Sequence, residues 1–286
     1  MKKLFVFADI HGFYNEMMDV LKEKGFDIDN EDHIFVSCGD LFDRGPDNDR
    51  CLDFVNSLPD DRKILVRGNH EDLLVEALHR GFFMQHDYHN HTLHTVAQLS
   101  GFDIDDILDQ RLTCAAACTA LLTSEDFKKY MNSVSYFHYI GNYIFVHGWI
   151  PSYFRDGFPL TARDRISDSW MQGDWQDAVW TNGMKAWQKG ERIIDHTIVC
   201  GHYHTSWGHA HIHHKGVEFV EVWYEGEEND PDMEEHFETF KDDGIIALDG
   251  CTAYSGIVNC EVIEVEDEEW QLRMSERTMN EPYQTM

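Results

Sequence analysis

Residues 34–45 read Ile-Phe-Val-Ser-Cys-Gly-Asp-Leu-Phe-Asp-Arg-Gly. The run Ile34–Cys38 has the branched and aromatic content of a buried strand, and it breaks at Gly39 into two acids and a guanidinium, Asp40, Asp43 and Arg44. Charged residues placed directly after a buried strand sit at the edge of a sheet, where α/β proteins carry their chemistry. The same order recurs along the chain. Leu4–Ala8 leads into Asp9-Ile10-His11-Gly12, Ile64–Val66 into Gly68-Asn69-His70-Glu71, Tyr143–Val146 into His147-Gly148, and Thr197–Cys200 into Gly201-His202-Tyr203-His204. Helix-like stretches at Asn15–Lys24, Cys51–Leu58 and Glu71–His79 lie between them. Strand, polar loop and helix in repetition predict an α/β fold with its functional residues at the strand ends.

One such pair says little, because an Asp after a strand is commonly a helix cap and a lone His a hydrogen-bonded structural residue. Five in one chain say more. Asp9, His11, Asp40, Asn69, His147 and His202 combine hard oxygen donors with imidazole and contain no thiolate, a mixture suited to Mn, Fe or Zn rather than Ca. Asp40 has two carboxylate oxygens and can bridge two ions about 3.5–4 Å apart, the spacing of two-metal phosphoester sites. Neighbouring glycines leave the backbone free to turn and make room for a substrate.

Composition bounds the rest. The 286 residues are 42% hydrophobic and 27% charged, which excludes a disordered chain, a collagen and a disulfide miniprotein. The 53 acidic residues against 23 basic ones give a net charge of −30, so a nucleic-acid-coating role is excluded by repulsion. No 18-residue apolar stretch is present, and the opening apolar run is cut short by Asp9, so neither a membrane span nor a signal peptide is expected. The seven cysteines are scattered without a CxxC pair, which fits a reducing compartment and predicts a cytoplasmic protein.

A single domain over 1–286 is expected. Residues 80–131 turn helical and read as an inserted cap, with His86, His89, His91 and His94 on a polar face or loop near the cleft. Residues 225–243 hold ten acidic residues and one lysine and read as a solvated, mobile excursion. Gly244–Asp249 and Gly256–Val265 read as closing strands, and the tail from Ser275 is polar.

The motifs DxHG (Asp9–Gly12), GDxxDRG (Gly39–Gly45) and GNHE (Gly68–Glu71) resemble the calcineurin-like metallophosphoesterases, and among them the phosphoprotein phosphatase branch with its bacterial and phage serine/threonine phosphatases. The likeness runs over Met1–Leu78 and resumes at Phe145–Ile150, Val179–Asn182, Val199–Thr205 and Ala247–Cys260. Arg44 and Gly45 are the residues that separate this branch from looser relatives. The resemblance implies a central β-sandwich flanked by helices and two divalent ions, Mn first and Fe or Zn as alternatives. Asp9 and His11 would hold the first ion, Asp40 would bridge, and Asn69, His147 and His202 would hold the second. A metal-bridging hydroxide would attack phosphorus in line. His70, oriented by Asp43, would serve the leaving group, and Arg44 would clamp phosphate oxygens. Glu71, read on its own, caps the start of the next helix or pairs with a neighbouring base.

Three departures stand against the pattern. Ala8 replaces a usual glycine. The branch's second phosphate-binding arginine is missing, with Asn182 near its place and Lys185, Arg163, Arg165 or Arg192 as possible substitutes. The late motif is Gly-His-Tyr-His, and in the wider family the second imidazole, here His204, binds the first metal. The leading functional expectation is a serine/threonine protein phosphatase acting on phosphoproteins or small phosphoesters. The alternatives are hydrolysis of dinucleoside polyphosphates or phosphodiesters, and a scaffold that has lost catalysis.

Overall fold

A computed structural model describes residues 1–151, 171, 173–220 and 234–272, and the backbone of 274–276. The described strands are β1 (Lys2–Phe7), β2 (His33–Ser37), β3 (Lys63–Val66), β4 (Val134–Ser135), β5 (Phe137–Ile140), β6 (Tyr143–Val146), β7 (Thr197–Cys200), β8 (Phe240–Asp242), β9 (Ile245–Ala247), β10 (Glu261–Val265) and β11 (Met274–Glu276). They form two sheets, ordered β10-β1-β2-β3-β4 and β11-β5-β6-β7-β9-β8. β1 to β4 run parallel, as do β6, β7 and β9, and antiparallel strands close the edges.

Alternation along the strands builds the layers. Leu4, Val6, Ile34, Val36 and Cys38 from one sheet meet Phe145 and Val199 from the other in a core between the sheets. Phe5, Phe7 and Phe35, one position out of phase, face away from it into a second core under helices. Ile144, Val146, Ile198 and Cys200 do the same on the far side, in a core with four tryptophans, Trp149, Trp175, Trp187 and Trp207. Both faces of each central strand are buried, which is why these segments read as unbroken apolar runs.

Helices α1 (Tyr14–Glu23), α2 (Asn48–Ser57) and α3 (Asn69–Arg80) follow β1, β2 and β3. Between α3 and β4 the chain is helical, as its sequence suggests, forming α4 (Gln85–His89), α5 (Thr92–Leu99), α6 (Ile104–Leu108), α7 (Cys114–Thr123) and α8 (Glu125–Ser133). The run Cys114–Leu122 is α7, whose Ala117, Cys118 and Leu121 join the same core as Leu74 and Ala77 of α3. Five short helices complete the list: α9 (Trp175–Ala178), α10 (Gly183–Gln188), α11 (Ser206–His211), α12 (Thr252–Ser255) and α13 (Asp267–Gln271). None of the described helices is long and apolar enough to cross a membrane.

Part of the acidic segment differs from expectation. Residues 225–233 lie outside the described ones, but Phe240–Asp242 is the edge strand β8, paired antiparallel with β9, and Phe237 and Phe240 are buried. The charge count hid two aromatic anchors. The closing strand expected over Gly256–Val265 is confined to Glu261–Val265, and the polar tail contributes Ser275 and Glu276 to β11 by backbone pairing with β5.

Candidate functional site

The parallel strands of both sheets deliver their C-terminal ends to one edge, so residues more than a hundred positions apart meet there. The loops that follow are tightly wound. The ladder between β1 and β2 continues past the strands through Asp9 N–H to Gly39 O (3.1 Å), His11 N–H to Asp40 O (3.0 Å) and Gly12 N–H to Leu41 O (2.8 Å). Asp9, His11, Asp40, Asp43, Arg44 and His202 all hold left-handed backbone, with φ of 53°, 51°, 54°, 73°, 61° and 67°. Non-glycine residues rarely adopt this conformation, and it clusters at functional sites. Glycine is required alongside them: a Cβ on Gly68 would overlap Asp40 Oδ1, and one on Gly201 would overlap Asp9 Oδ2.

Asp40 is the hub. Its Oδ1 accepts the His70 backbone N–H at 2.9 Å. Its Oδ2 faces the Nε2 atoms of His147 at 3.4 Å, His11 at 3.8 Å and His70 at 3.9 Å. His11 and His147 each donate Nδ1–H to a carbonyl, Phe42 O and Cys38 O, both at 2.8 Å, which turns their Nε2 atoms inward. His147 Nε2 and His202 Nδ1 both approach Asn69 Oδ1, at 2.8 and 2.9 Å. A proton on each ring nitrogen makes these contacts hydrogen bonds to the amide oxygen, and a bound cation would take the place of those protons.

That arrangement fits divalent ions. Ligand atoms of His11, Asp40 and His70 lie within 4.8 Å of one another, and so do those of Asp40, His147 and His202, giving two adjoining groups that share Asp40. Asp9, expected as a ligand of the first ion, falls in neither group; its carboxylate oxygens accept the His202 N–H at 2.9 and 3.1 Å. His204 stands apart. Its Nδ1 contacts Ser206 Oγ at 2.9 Å, and the structure does not bring it into either group.

His70 has a second partner set. Its Nδ1 lies 2.8 Å from Asp43 Oδ2, and Asp43 also accepts Thr92 Oγ1 (3.1 Å) and Thr95 Oγ1 (2.7 Å) from α5. Glu71 caps α3 as the sequence suggests, and does more. Its Oε2 accepts the N–H groups of Gly68 (2.7 Å) and Asp40 (3.0 Å), while Oε1 accepts that of Leu41 (3.0 Å) and the Tyr130 hydroxyl (2.9 Å).

The electrostatics follow the packing. Burial drives His11 well below its ordinary range, with Arg44 and His70 adding to it, and burial and His147 bring His202 down to about 3. Both are neutral donors at neutral pH. Burial also opposes charge on His147, but the Asp40 carboxylate outweighs it and holds that imidazole at about 10. For His70, burial is again outweighed, by Asp40 and then Asp43, so it ends above its usual value. Burial would raise Asp40, yet the surrounding imidazoles, His147 foremost, hold it well below the carboxylate range.

Asp9, His11, Asp40, Asn69, His70 and His202 line a cleft of about 730 Å³ together with Arg44, Glu76, Trp180, Tyr203 and Asp249. Arg44 is fixed by the helical stretch between α3 and β4: its N–H donates to Asn90 O (3.0 Å), and His91 Nδ1 lies 3.1 Å from its carbonyl. None of the described candidates for the missing arginine reaches the cleft. Asn182 caps α10 by accepting the Lys185 N–H at 2.9 Å, Lys185 lines a different hollow, and Arg192 stacks 4.2 Å over Trp187. Arg163 and Arg165 lie outside the described residues. The sequence reading missed Asp249, Trp180, Thr92, Thr95 and Tyr130. Trp180 and Asp249 lie in the segments Val179–Asn182 and Ala247–Cys260 where the family likeness resumes; Thr92, Thr95 and Tyr130 carried no signal.

A two-sheet sandwich presenting adjoining carboxylate, amide and imidazole donor groups at its strand ends defines a metallophosphoesterase. The chain belongs to the calcineurin-like phosphoesterase family, whose sequence profile matches residues 2–206. It is similar to serine/threonine-protein phosphatase 1 of Salmonella typhimurium, 40% identical over 76 residues, which is 27% of this chain and 33% of that protein. It is also similar to the symmetrical bis(5'-nucleosyl)-tetraphosphatase of Buchnera aphidicola, 42% identical over 71 residues, 25% of this chain and 24% of that one. The matched segments thus span about a quarter to a third of these curated relatives. Among solved structures, a cold-active protein-tyrosine phosphatase of a Shewanella species aligns with 71% of this chain and 66% of its own, at 20% identity and a TM-score of 0.40.

Proposed function

We propose that this chain hydrolyses phosphate monoesters with two bound divalent cations, acting on phosphoserine and phosphothreonine in proteins. The observation that carries this reading is the ring of three imidazoles around Asp40 Oδ2 beside the buried His70–Asp43 pair. Asp9, His11 and Asp40 would hold one ion, and Asp40, Asn69, His147 and His202 the other, with Mn the first expectation. Such ions, when bound, lower the pKa of water and neutralise charge on phosphoryl oxygens. Arg44 binds those oxygens from the cleft wall with its planar fork. His70 carries a proton toward the leaving oxygen, and Asp43 holds its Nδ1 and steadies the charged ring. Asn69 and Glu71 keep the loops in register, the former through both imidazoles it touches. A cytoplasmic setting is part of the same proposal.

Hydrolysis of dinucleoside polyphosphates is the second reading, favoured by the tetraphosphatase alignment. Against it, Arg44 is the single Lys or Arg lining the cleft among the described residues, while Glu76 and Asp249 are acids. One guanidinium matches one phosphoryl group better than a chain of them. Side-by-side rates on a phosphoserine peptide, diadenosine tetraphosphate and an aryl phosphodiester, with Mn, Fe or Zn supplied, test this. The phosphopeptide is expected to be turned over fastest; a faster tetraphosphate rate reverses the order of the readings.

A further inference from the structure

Outside the cleft, the chain gathers a second set of imidazoles. The run that follows the Gly201–His204 motif includes His209-Ala-His211-Ile-His213-His214. His209, in the last turn of α11, is 5% exposed. Its Nε2–H donates to Glu238 O at 3.0 Å, which fixes the tautomer and makes Nδ1 a bare lone pair. That Nδ1 is buried and has no hydrogen-bond partner among the described residues. Such an acceptor costs stability until something completes it. Two more imidazoles pack against the ring, His213 at a centroid distance of 5.5 Å and His236 at 6.0 Å. Gly208 O accepts the N–H groups of Ile212 (2.9 Å) and His213 (3.2 Å), so the helical wind carries on to His213. His236 is brought alongside by the bridge between Val217 and Glu235. Phe240 backs His209 and His213 at 5.6 and 4.5 Å.

We infer that His209, His213 and His236 form a further metal site, for an imidazole-seeking dication of the zinc class, apart from the groups around Asp40. A ring that gives one N–H to a backbone carbonyl and keeps the other nitrogen bare is oriented as ligand histidines are. His209 and His213 are four residues apart, the spacing that sets two imidazoles on one helical face. Three imidazoles suit zinc better than Mn, which prefers oxygen. Carboxylates stand ready to offset the charge: Glu238 Oε1 lies 3.4 Å from His236 Nδ1, and Asp242 Oδ2 lies 3.5 Å from His213 Nε2. The three ligand atoms are not yet within 4.8 Å of one another, so an entering ion turns His213 and His236 from these acids about their soft ring torsions. His213 is exposed and gives the ion its way in. Once bound, the ion staples the end of the acidic segment to the helix that follows the His202 loop.

Zinc bound per chain tests this without any product being formed, so its outcome is independent of the phosphatase reading. After zinc loading and dialysis, the wild type should hold about one ion more than a His213→Gln/His236→Gln variant, measured by elemental mass spectrometry. These two histidines are not fully buried, so the variant is expected to fold, and far-UV circular dichroism checks that it does. Asp40→Asn, which dismantles the shared carboxylate of the cleft, should still hold about one zinc. Adding His209→Gln to it should weaken that zinc by about 100-fold or more, since a ligand is lost rather than an outer partner. Cobalt in the Asp40→Asn protein should give the visible band of a four-coordinate ion, and the same three-histidine changes should remove it. Equal zinc content in the wild type and the His213→Gln/His236→Gln variant overturns the site. So does an Asp40→Asn protein that keeps its far-UV spectrum and binds no zinc.

Discussion

Thr95 Oγ1 donates a 2.7 Å hydrogen bond to Asp43 Oδ1, so helix α5 grips the carboxylate that holds His70. Thr95 and Asp43 are both fully buried. The helical stretch between α3 and β4 therefore supports the reacting groups from beneath as well as flanking the cleft.

Thr95→Val keeps the shape but leaves an acidic oxygen without its donor. Stability is expected to fall by about 1–3 kcal/mol, as for other buried groups robbed of a partner, and Thr95→Ser should recover most of it. Urea unfolding of the two variants measures the difference.

Asp43→Asn removes a charge that keeps His70 protonated. His70 lies above its usual value because Asp40 and Asp43 together outweigh burial, so loss of Asp43 lowers it. A general acid works while protonated and is lost as pH rises through its pKa. The alkaline limb of kcat should therefore move to lower pH, with a loss on the order of 100-fold at neutral pH. A pH–rate profile that keeps its alkaline limb in place contradicts the role given to His70.

Metal loading has its own pH dependence. His147 is held at about 10, so at neutral pH an incoming cation must displace a proton from it. Apparent affinity should then tighten by about tenfold per pH unit from pH 6 to 8 for this one proton. Chelator-competition titrations read it directly, and a chelator should abolish activity that added Mn restores.

Glu71→Gln puts an amide where four donors converge on two carboxylate oxygens. At least one N–H then faces another N–H or the Tyr130 hydroxyl. Metal affinity should drop by about 10–100-fold through the displaced Asp40 loop, the scale for groups that orient ligands. Tyr130→Phe removes a single bond and should cost less; equal losses in the two variants would rule out the loop as the route.

Much of this was legible in the chain. The runs that end at Phe7, Ser37, Val66, Val146 and Cys200 are buried on both faces, so apolar content alone marked them, and the residues placed after them are the ones that meet. The sandwich's second sheet was harder to read, because β5 and β8 are short segments whose polar residues mask the pattern. Phe237 and Phe240 were hidden by the acids around them. Thr92, Thr95 and Tyr130 gave no signal because their importance lies wholly in which distant carboxylate they touch, and spacing along a chain does not encode that. The fate of Asn182 was equally invisible: only the structure shows its side chain spent on capping α10.

The left-handed backbone at Asp9, His11, Asp40, Asp43, Arg44 and His202 sets stability and turnover against each other. Each such residue costs the folded chain roughly 1–2 kcal/mol that glycine would not. A thermostability screen of random variants should accordingly enrich glycine at Arg44, whose side chain is exposed and makes no buried bond that glycine would forfeit, and deliver hardier proteins with weaker phosphate binding. Laboratory evolution of this scaffold must select on product formed, since survival on heating rewards dismantling the catalyst.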